Sequence, residues 1–253
     1  GNFILPEHFE LAAEARPARK PHRFIYASSP DRGLGRLLEI WPRILEVFPD
    51  AELAIFYGWK GCEKLGNADP EWIRQYRKIR GLWEVKKFMP GIIECGRVNH
   101  ETLAREFMQA SAWLYPTDFS ETGCLTAIKA RAAGCVPVCT PLAALAETAK
   151  SDLTQYVTEG PDFEQRFVDA VKRAVEIPES DRRRMAEEAL RNHSIAVESE
   201  KWATLLESYE KRPCRPKPRR RRRTPPTPCS SPSRPTPART SASTTSRRRS
   251  RGR

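Results

Sequence analysis

The chain has 253 residues, of which 39% are hydrophobic and 30% charged, a composition typical of a globular protein that also carries irregular segments. Residues 212–253 contain 15 of the 44 Lys and Arg and no Asp or Glu, which leaves 29 basic against 32 acidic residues in the first 211. The body of the chain is therefore slightly acidic despite a formal charge of +12, which excludes a nucleic-acid-binding function spread over the whole chain. No run reaches the roughly 18 apolar residues that a membrane-spanning helix needs.

The seven cysteines and four histidines are scattered along the chain. Because they form no CxxC pair and no HxxxH motif, we expect neither a metal site nor a bound cofactor. Cysteines of this kind are typical of a reduced core, and we expect a cytoplasmic protein.

The apolar pattern predicts strands and helices in alternation. Strands are predicted at 23–28, 51–57, 92–95, 111–115 and 136–139, and helices at 34–48, 70–87, 100–110, 121–133, 162–176, 179–192 and 194–211. Pro70 is expected to open its helix, with Asp69 as the cap. Alternation of this kind indicates βαβ units, so the predicted fold is α/β: a Rossmann-like parallel sheet flanked by helices.

Residues 212–253 differ abruptly in composition from the rest. They contain nine of the 22 prolines and 13 Ser or Thr, with almost no aliphatic side chain to bury, and we expect a disordered basic tail. Three interpretations stay open: a basic arm that attracts nucleic acid or acidic lipid, an unselective solvated end, or an out-of-frame translation.

The loop that follows the first predicted strand could bind an anion. Residues 28–34 (SSPDRGL) join this strand to a helix through small residues, and the helix start offers free N–H groups. Arg32 adds a fixed charge with a forked set of donors, which suits a phosphate. The alternative is an ordinary capped turn.

The loop that follows the fourth predicted strand has a related pattern. Residues 116–123 (PTDFSETG) could present backbone N–H groups to a second anion and leave Glu121 free to accept hydrogen bonds from sugar hydroxyls. The alternative is that Glu121 lies in the first helical turn because of the helix dipole.

Residues 120–138 (SETGCLTAIKARAAGCVPV) resemble the signature of the large retaining group 1 glycosyltransferase family. That signature is a Glu, seven residues, a second Glu, an Ala-rich helix, a Gly and a Pro-Val pair. Glu121, Gly134, Pro137 and Val138 match it, with one extra residue before the proline. The stretches YASSPDRGL, PDAELAIFYGW, GRVNHETLAREFMQASAWLYPT and AALAET follow in the family's order and spacing, so the resemblance covers about residues 23–150.

The resemblance implies one half of a GT-B glycosyltransferase, an enzyme of two Rossmann-like domains in which the C-terminal one binds the donor. The donor would be a nucleotide-diphosphate sugar, and the transfer would retain the sugar's configuration. The implied diphosphate-binding residues are Ser28, Ser29 and Arg32. The implied catalytic residue, in contact with the donor sugar, is Glu121, and the amides that support sugar and phosphate are those of Thr122, Gly123 and Cys124.

The chain departs from the family signature at its second Glu, which would bind the ribose hydroxyls and is Lys129 here. An ammonium group has donors only and cannot accept from hydroxyls. Eight residues advance a helix by about two turns, so Glu121 and Lys129 are predicted to share one face of a single helix, with Lys129 pointing toward the ribose. The alternative is that Lys129 pairs with a surface acid.

The start of the chain (GNFILPEHF) resembles the linker that precedes the donor domain in this family. The expected organisation is therefore a linker remnant at 1–20, the donor domain at 21–211 and the tail at 212–253. On this interpretation the chain is a fragment that lacks the acceptor domain, and the acceptor is unidentified. A non-catalytic nucleotide-binding or interaction domain is the alternative, favoured by Lys129 and the missing half.

Overall fold

The computed structural model describes residues 2–14, 17–59 and 70–210. The strands are β1 (Lys20–Ala27), β2 (Glu52–Phe56), β3 (Ile92–Gly96), β4 (Ala110–Tyr115), β5 (Val136–Cys139) and β6 (Gln155–Tyr156). The helices are α1 (Glu7–Glu14), α2 (Leu34–Val47), α3 (Pro70–Lys86), α4 (His100–Gln109), α5 (Leu125–Ala132), α6 (Leu145–Thr148), α7 (Phe163–Glu176), α8 (Glu179–His193) and α9 (Ile195–Glu210). The predicted cap Asp69 and the predicted tail lie outside the described residues.

The six strands form one parallel sheet in the order β3-β2-β1-β4-β5-β6. Strands β2 and β3 thus extend the sheet on one side of β1, and strands β4, β5 and β6 extend it on the other side. All strands end at one edge, the carboxyl edge, and begin at the other, the amino edge. The predicted α/β, Rossmann-like fold is confirmed.

Burial explains why these segments form these elements. All six residues of β4 are buried, as expected for a central parallel strand with helices on both faces. Helix α2 buries residues at the i, i+3, i+4 and i+7 spacing of an amphipathic helix, namely Leu34, Leu37, Leu38, Trp41 and Ile44.

The start of α5 differs from the prediction. The helix begins at Leu125 rather than at residue 121, because Cys124 has an extended backbone (φ −108°, ψ 90°) and occupies the N-cap position. Glu121 therefore lies in the preceding loop. The expectation that Glu121 and Lys129 share a face of one helix is wrong, and so is the alternative that placed Glu121 in the first helical turn.

Residues 2–14, expected to belong to a linker, pack against the domain. The backbone N–H of Ile4 donates to His193 O at 2.9 Å, and that of Ile195 donates to Ile4 O at 3.1 Å. Phe9 and Ala12 of α1 are buried. The segment is thus part of the same compact unit as residues up to 211, and its role as a linker stays a prediction.

Helix α9 carries four large apolar side chains that do not contribute to the core. All four are exposed within the described residues: Trp202, Leu205, Leu206 and Tyr209. Among the helices of the described ranges, none combines the length and apolarity needed to cross a bilayer.

A buried guanidinium closes the amino edge of the sheet. Arg182 of α8 is 2% exposed, and its Nε donates to Ile177 O at 3.0 Å. Its Nη atoms donate to the carbonyls of Gly134 (3.3 Å), Ser111 and Ala174. Burial, and then the charge of Arg19, lowers the pKa of Arg182 to about 10. Helix carboxyl ends carry partial negative charge, so this cation compensates carbonyls that would otherwise lack donors.

A second guanidinium, that of Arg19, also donates to carbonyl groups at the amino edge. Arg19 donates to the carbonyls of Ala133 (3.1 Å) and Phe107 (3.5 Å) and to that of Ala110. These carbonyls stand at the carboxyl ends of α5 and α4. The Nε of Arg19 pairs with Glu179 at 2.9 Å, which leaves Arg182 as the guanidinium bound to carbonyls alone.

We expect Arg182→Met to lower the free energy of unfolding by about 3 kcal/mol or more, because several buried carbonyls lose a charged donor. Urea denaturation followed by circular dichroism measures this change. The control is Arg183→Met, since Arg183 is the exposed neighbour on the same helix, and its effect should stay within about 0.5 kcal/mol. Equal effects of the two substitutions would contradict the role given to Arg182.

Candidate functional site

The loops after β1 and β4 meet at the carboxyl edge, where the strand order reverses. Gly33 has a left-handed backbone (φ 107°), and a Cβ at this position would lie 3.0 Å from Pro116 O and 3.1 Å from Thr117 Cα. Glycine thus permits the close approach of the two loops. The hydroxyl of Thr126 donates to Ala27 O at 3.1 Å and ties the start of α5 to the end of β1. Open α/β sheets bind ligands at such reversals.

Two predicted site residues form an ion pair at this point. Nη1 of Arg32 lies 3.2 Å from Oε2 and 3.3 Å from Oε1 of Glu121. The Glu121 side chain is 7% exposed and that of Arg32 is 37% exposed, so the carboxylate is held inside and the guanidinium stands nearer to solvent. The Arg32 Cζ also lies 4.2 Å from the ring centroid of Phe119, within cation–π range.

Neighbouring groups stabilise the positive charge of Arg32. Partial burial acts to lower the pKa of Arg32, but Glu121, Tyr115 and Asp31 outweigh it, and the pKa is raised above its ordinary value. The Nε atom of Arg32 is buried and has no hydrogen-bond partner among the described residues. A buried N–H of this kind is costly unless an acceptor reaches it.

Tyr115, the last residue of β4, was missed by the sequence analysis. Its hydroxyl donates to Glu121 Oε1 at 2.6 Å and lies 3.2 Å from the Ser28 hydroxyl. Burial, and then the hydrogen bond to Glu121, raises the pKa of Tyr115 above its ordinary value, so the phenol keeps its proton and holds the carboxylate. The only signal in the sequence is its place at the end of a strand that leads into a site loop.

Residues 28–32 form a closed turn. The Ser29 carbonyl accepts from the Tyr26 hydroxyl at 2.7 Å and from the Arg32 N–H at 3.0 Å, and the Ser29 hydroxyl donates to Asp31. The backbone of residues 28–32 therefore fits the alternative of an ordinary turn. The Arg32 side chain nevertheless points to Glu121, so the turn and an anion site are compatible.

The predicted amide-bearing residues Thr122, Gly123 and Cys124 lie between Glu121 and α5. Thr122 is exposed, and a Cβ on Gly123 would collide with the side-chain amide of Asn2. Burial raises the pKa of Cys124 to about 12, so its thiol stays protonated and is a poor nucleophile. The loop is held in place by Glu121 O, which accepts from the N–H of residue 144 at 3.1 Å.

Lys129 has a different partner from those expected. Its Nζ lies 2.8 Å from Nδ1 of His100, and the His100 ring stacks on that of His8 with 5.3 Å between centroids. Burial lowers the pKa of Lys129. The predicted alternative, a pair with a surface acid, is not found among the described residues, and the ribose role of Lys129 stays a prediction.

The site thus joins a cation, an unpaired guanidinium N–H and a carboxylate between two helix starts. Arg32 and the N–H groups at the start of α2 can bind an anion. Glu121 can accept hydrogen bonds from hydroxyl groups. Arg32 and Glu121 form an ion pair with each other.

No family model and no curated protein matches this chain. Several solved structures do. Sucrose-phosphate synthase from Thermosynechococcus elongatus matches with a TM-score of 0.62 and 18% identity, over 83% of this chain and 51% of the solved one. The UDP-forming α,α-trehalose-phosphate synthase from Burkholderia xenovorans matches with a TM-score of 0.61 and 17% identity, over 83% and 52%. The pneumococcal O-GlcNAc transferase GtfA, solved with UDP and GlcNAc, matches with a TM-score of 0.56 and 14% identity, over 77% and 37%.

These neighbours are glycosyltransferases of the GT-B fold. The chain has the fold of one half of such an enzyme, as the sequence resemblance implied. It spans between 37% and 52% of the length of these three solved chains.

We expect Glu121→Gln to tighten the binding of pyrophosphate at Arg32 by about threefold to tenfold, because the competing carboxylate charge is removed while the amide oxygen can still accept from Tyr115. Pyrophosphate titration of isotope-labelled protein, followed at the Arg32 and Tyr115 signals, measures this change. The control is Glu164→Gln, since Glu164 forms a 3.3 Å ion pair with Arg43 on other elements. Unchanged or weaker binding in Glu121→Gln would show that the carboxylate does not compete for Arg32.

Proposed function

We propose that residues 21–211 bind a nucleotide-diphosphate sugar and act as the donor domain of a retaining glycosyltransferase. The observation that carries this proposal is the Arg32–Glu121 pair at the strand reversal, in a fold that matches half of GT-B glycosyltransferases. The neighbouring trehalose-phosphate synthase is UDP-forming and GtfA was solved with UDP, which makes a uridine nucleotide the first candidate.

Arg32 would hold the diphosphate together with Ser28 and Ser29. Its raised pKa keeps the guanidinium charged, and its buried Nε is an N–H without an acceptor within the described ranges. A diphosphate oxygen would supply that acceptor and compete with Glu121 for Nη1. Donors that are already in place can stabilise the charge that develops on the departing diphosphate.

Glu121 would contact the donor sugar once Arg32 turns to the diphosphate. Tyr115 holds one carboxylate oxygen at 2.6 Å, which leaves the second oxygen for sugar hydroxyls. The amides of Thr122, Gly123 and Cys124 would support the sugar and the adjoining phosphate. The retaining course is proposed from the resemblance at residues 120–138.

The acceptor would be bound by the other half of a GT-B enzyme. Support comes from the length of the match, since this chain spans 51% or 52% of the two synthases. We therefore propose that this half alone binds the donor and transfers nothing.

A non-catalytic nucleotide-binding or interaction domain is the second candidate. It is favoured by Lys129, which places an ammonium on His100 where the family signature has a carboxylate. Binding of a nucleotide sugar without transfer, even after the acceptor half has been supplied, would support it.

Calorimetry of the full chain with UDP, GDP and ADP in about 0.15 M salt tests the donor function. Salt at this level screens exposed charges beyond about 8 Å and so limits non-specific binding to the basic residues 212–253. Binding of one nucleotide in preference to the others supports the proposal. Absence of binding to all three nucleotides at millimolar concentration would contradict the donor function.

We expect Arg32→Ala to weaken binding of the nucleoside diphosphate by about 1.5–3 kcal/mol, the range of a charge-assisted hydrogen bond. Binding of the unphosphorylated nucleoside should be unchanged. Arg43→Ala is the control, since Arg43 also forms an ion pair, with Glu164, outside the site loops. An equal loss for nucleoside and diphosphate would mean that Arg32 acts through the structure of the turn.

We expect Lys129→Glu to tighten binding of the nucleotide by about 1–2 kcal/mol, because a carboxylate can accept from both ribose hydroxyls. The matched ligand is a 2′,3′-dideoxy nucleotide, which has no hydroxyls and should respond less. Calorimetry of both ligands measures the difference. If both respond alike, or neither does, Lys129 lies outside the ribose site.

A further inference from the structure

A cavity lies next to the loop that follows Glu121. Its volume is about 240 Å³, and its lining residues are Asn2, Phe3, Ile4, Leu5, His8, His100, Leu125 and Lys129. Leu125 and Lys129 stand one turn apart on α5, and Asn2 is in contact with Gly123. The cavity therefore begins where the loop of residues 121–124 ends.

Basic side chains gather on one wall of this cavity. Lys129 Nζ lies 2.8 Å from His100 Nδ1, and the His100 ring stacks on His8 at 5.3 Å with 22° between the planes. An ammonium group can only donate, so His100 accepts at Nδ1 and carries its own proton at Nε2. The ammonium of Lys129 and the rings of His100 and His8 thus line the same cavity.

No acidic residue balances this charge within the described part of the chain. No Asp or Glu of those ranges lines the cavity, and none forms an ion pair with Lys129. The charge of Lys129, and then burial and His8, lowers the pKa of His100. Burial lowers the pKa of Lys129 as well. The lowered pKa of His100 keeps its ring neutral, so the positive charge in this cavity is that of Lys129, and an anion would offset the cost of burying that charge.

We propose that this cavity binds a phosphate group through Lys129, His100 and His8. Three donors from three side chains suit a tetrahedral oxyanion, and the apolar wall of Phe3, Ile4, Leu5 and Leu125 suits the organic part of an ester. The phosphate has two possible sources: the free ion, or a phosphate ester on the ribose of a nucleotide bound at the Arg32 site. The second source rests on the proposed donor function, and the first does not.

The test is a titration of the full chain, labelled at histidine, with inorganic phosphate, uridine 3′-monophosphate and uridine in about 0.15 M sodium chloride. The ring signals of His8 and His100 report binding at this cavity, because both rings line it. We expect both phosphate compounds to shift these signals, and uridine to leave them in place.

Substitutions of Lys129 identify the charge that is responsible. Lys129→Met should weaken phosphate binding at the histidine signals by at least about tenfold, and Lys129→Arg should keep it within about threefold. Lys150→Met, which removes an exposed lysine elsewhere, is the control and should change nothing. A thermal melt of each variant checks that it is folded.

The outcomes separate this proposal from the donor function. Uridine 3′-monophosphate that binds more tightly than phosphate supports an ester on the ribose, and equal binding of the two supports the free ion. Histidine signals that do not move with either compound, or that move equally in Lys129→Met, overturn the proposal. Phosphate binding here, with no binding of UDP, GDP or ADP that depends on Arg32, would contradict the donor function and leave the phosphate site supported.

Discussion

Six parallel strands with crossover helices align the backbone dipoles of this protein, so its two sheet edges differ in partial charge. Strand carboxyl ends and helix amino ends share one edge, so N–H groups accumulate there, and carbonyl groups accumulate at the opposite edge. Arg19 and Arg182 supply donors to the carbonyl-rich edge. At the other edge the excess of N–H groups favours an anion, and the carboxylate of Glu121 pairs with Arg32 there.

This internal pair explains how a carboxylate stays buried beside a helix start. An isolated buried carboxylate is strongly unfavourable, and Arg32 and Tyr115 together compensate it. Arg32 is the more exposed partner of this pair, and Tyr115 holds Glu121 from the buried side.

The sequence predicted the features that depend on near neighbours in the chain. Apolar runs located five of the six strands, and the SSPDRGL turn placed Arg32 correctly at a helix start. The role of Tyr115 could not be predicted, because an aromatic residue at the end of an apolar strand fits a core position equally well. Thr122-Gly123-Cys124 contains a glycine, which is a poor helix former, but no proline, and the late start of α5 was missed. The partner of Lys129 was set by His100, 29 residues away in sequence.

The two guanidinium groups at the amino edge also determine when some contacts can form during synthesis of the chain. Arg182 binds carbonyls 71 and 48 residues before it, and Arg19 pairs with a carboxylate 160 residues after it. A chain that grows on the ribosome exposes Ser111 and Gly134 well before α8 has emerged. These contacts close long loops, so they can form only after the segment that carries Arg182 has left the exit tunnel. The carbonyls of Ser111 and Gly134 therefore remain without this donor until α8 has been translated.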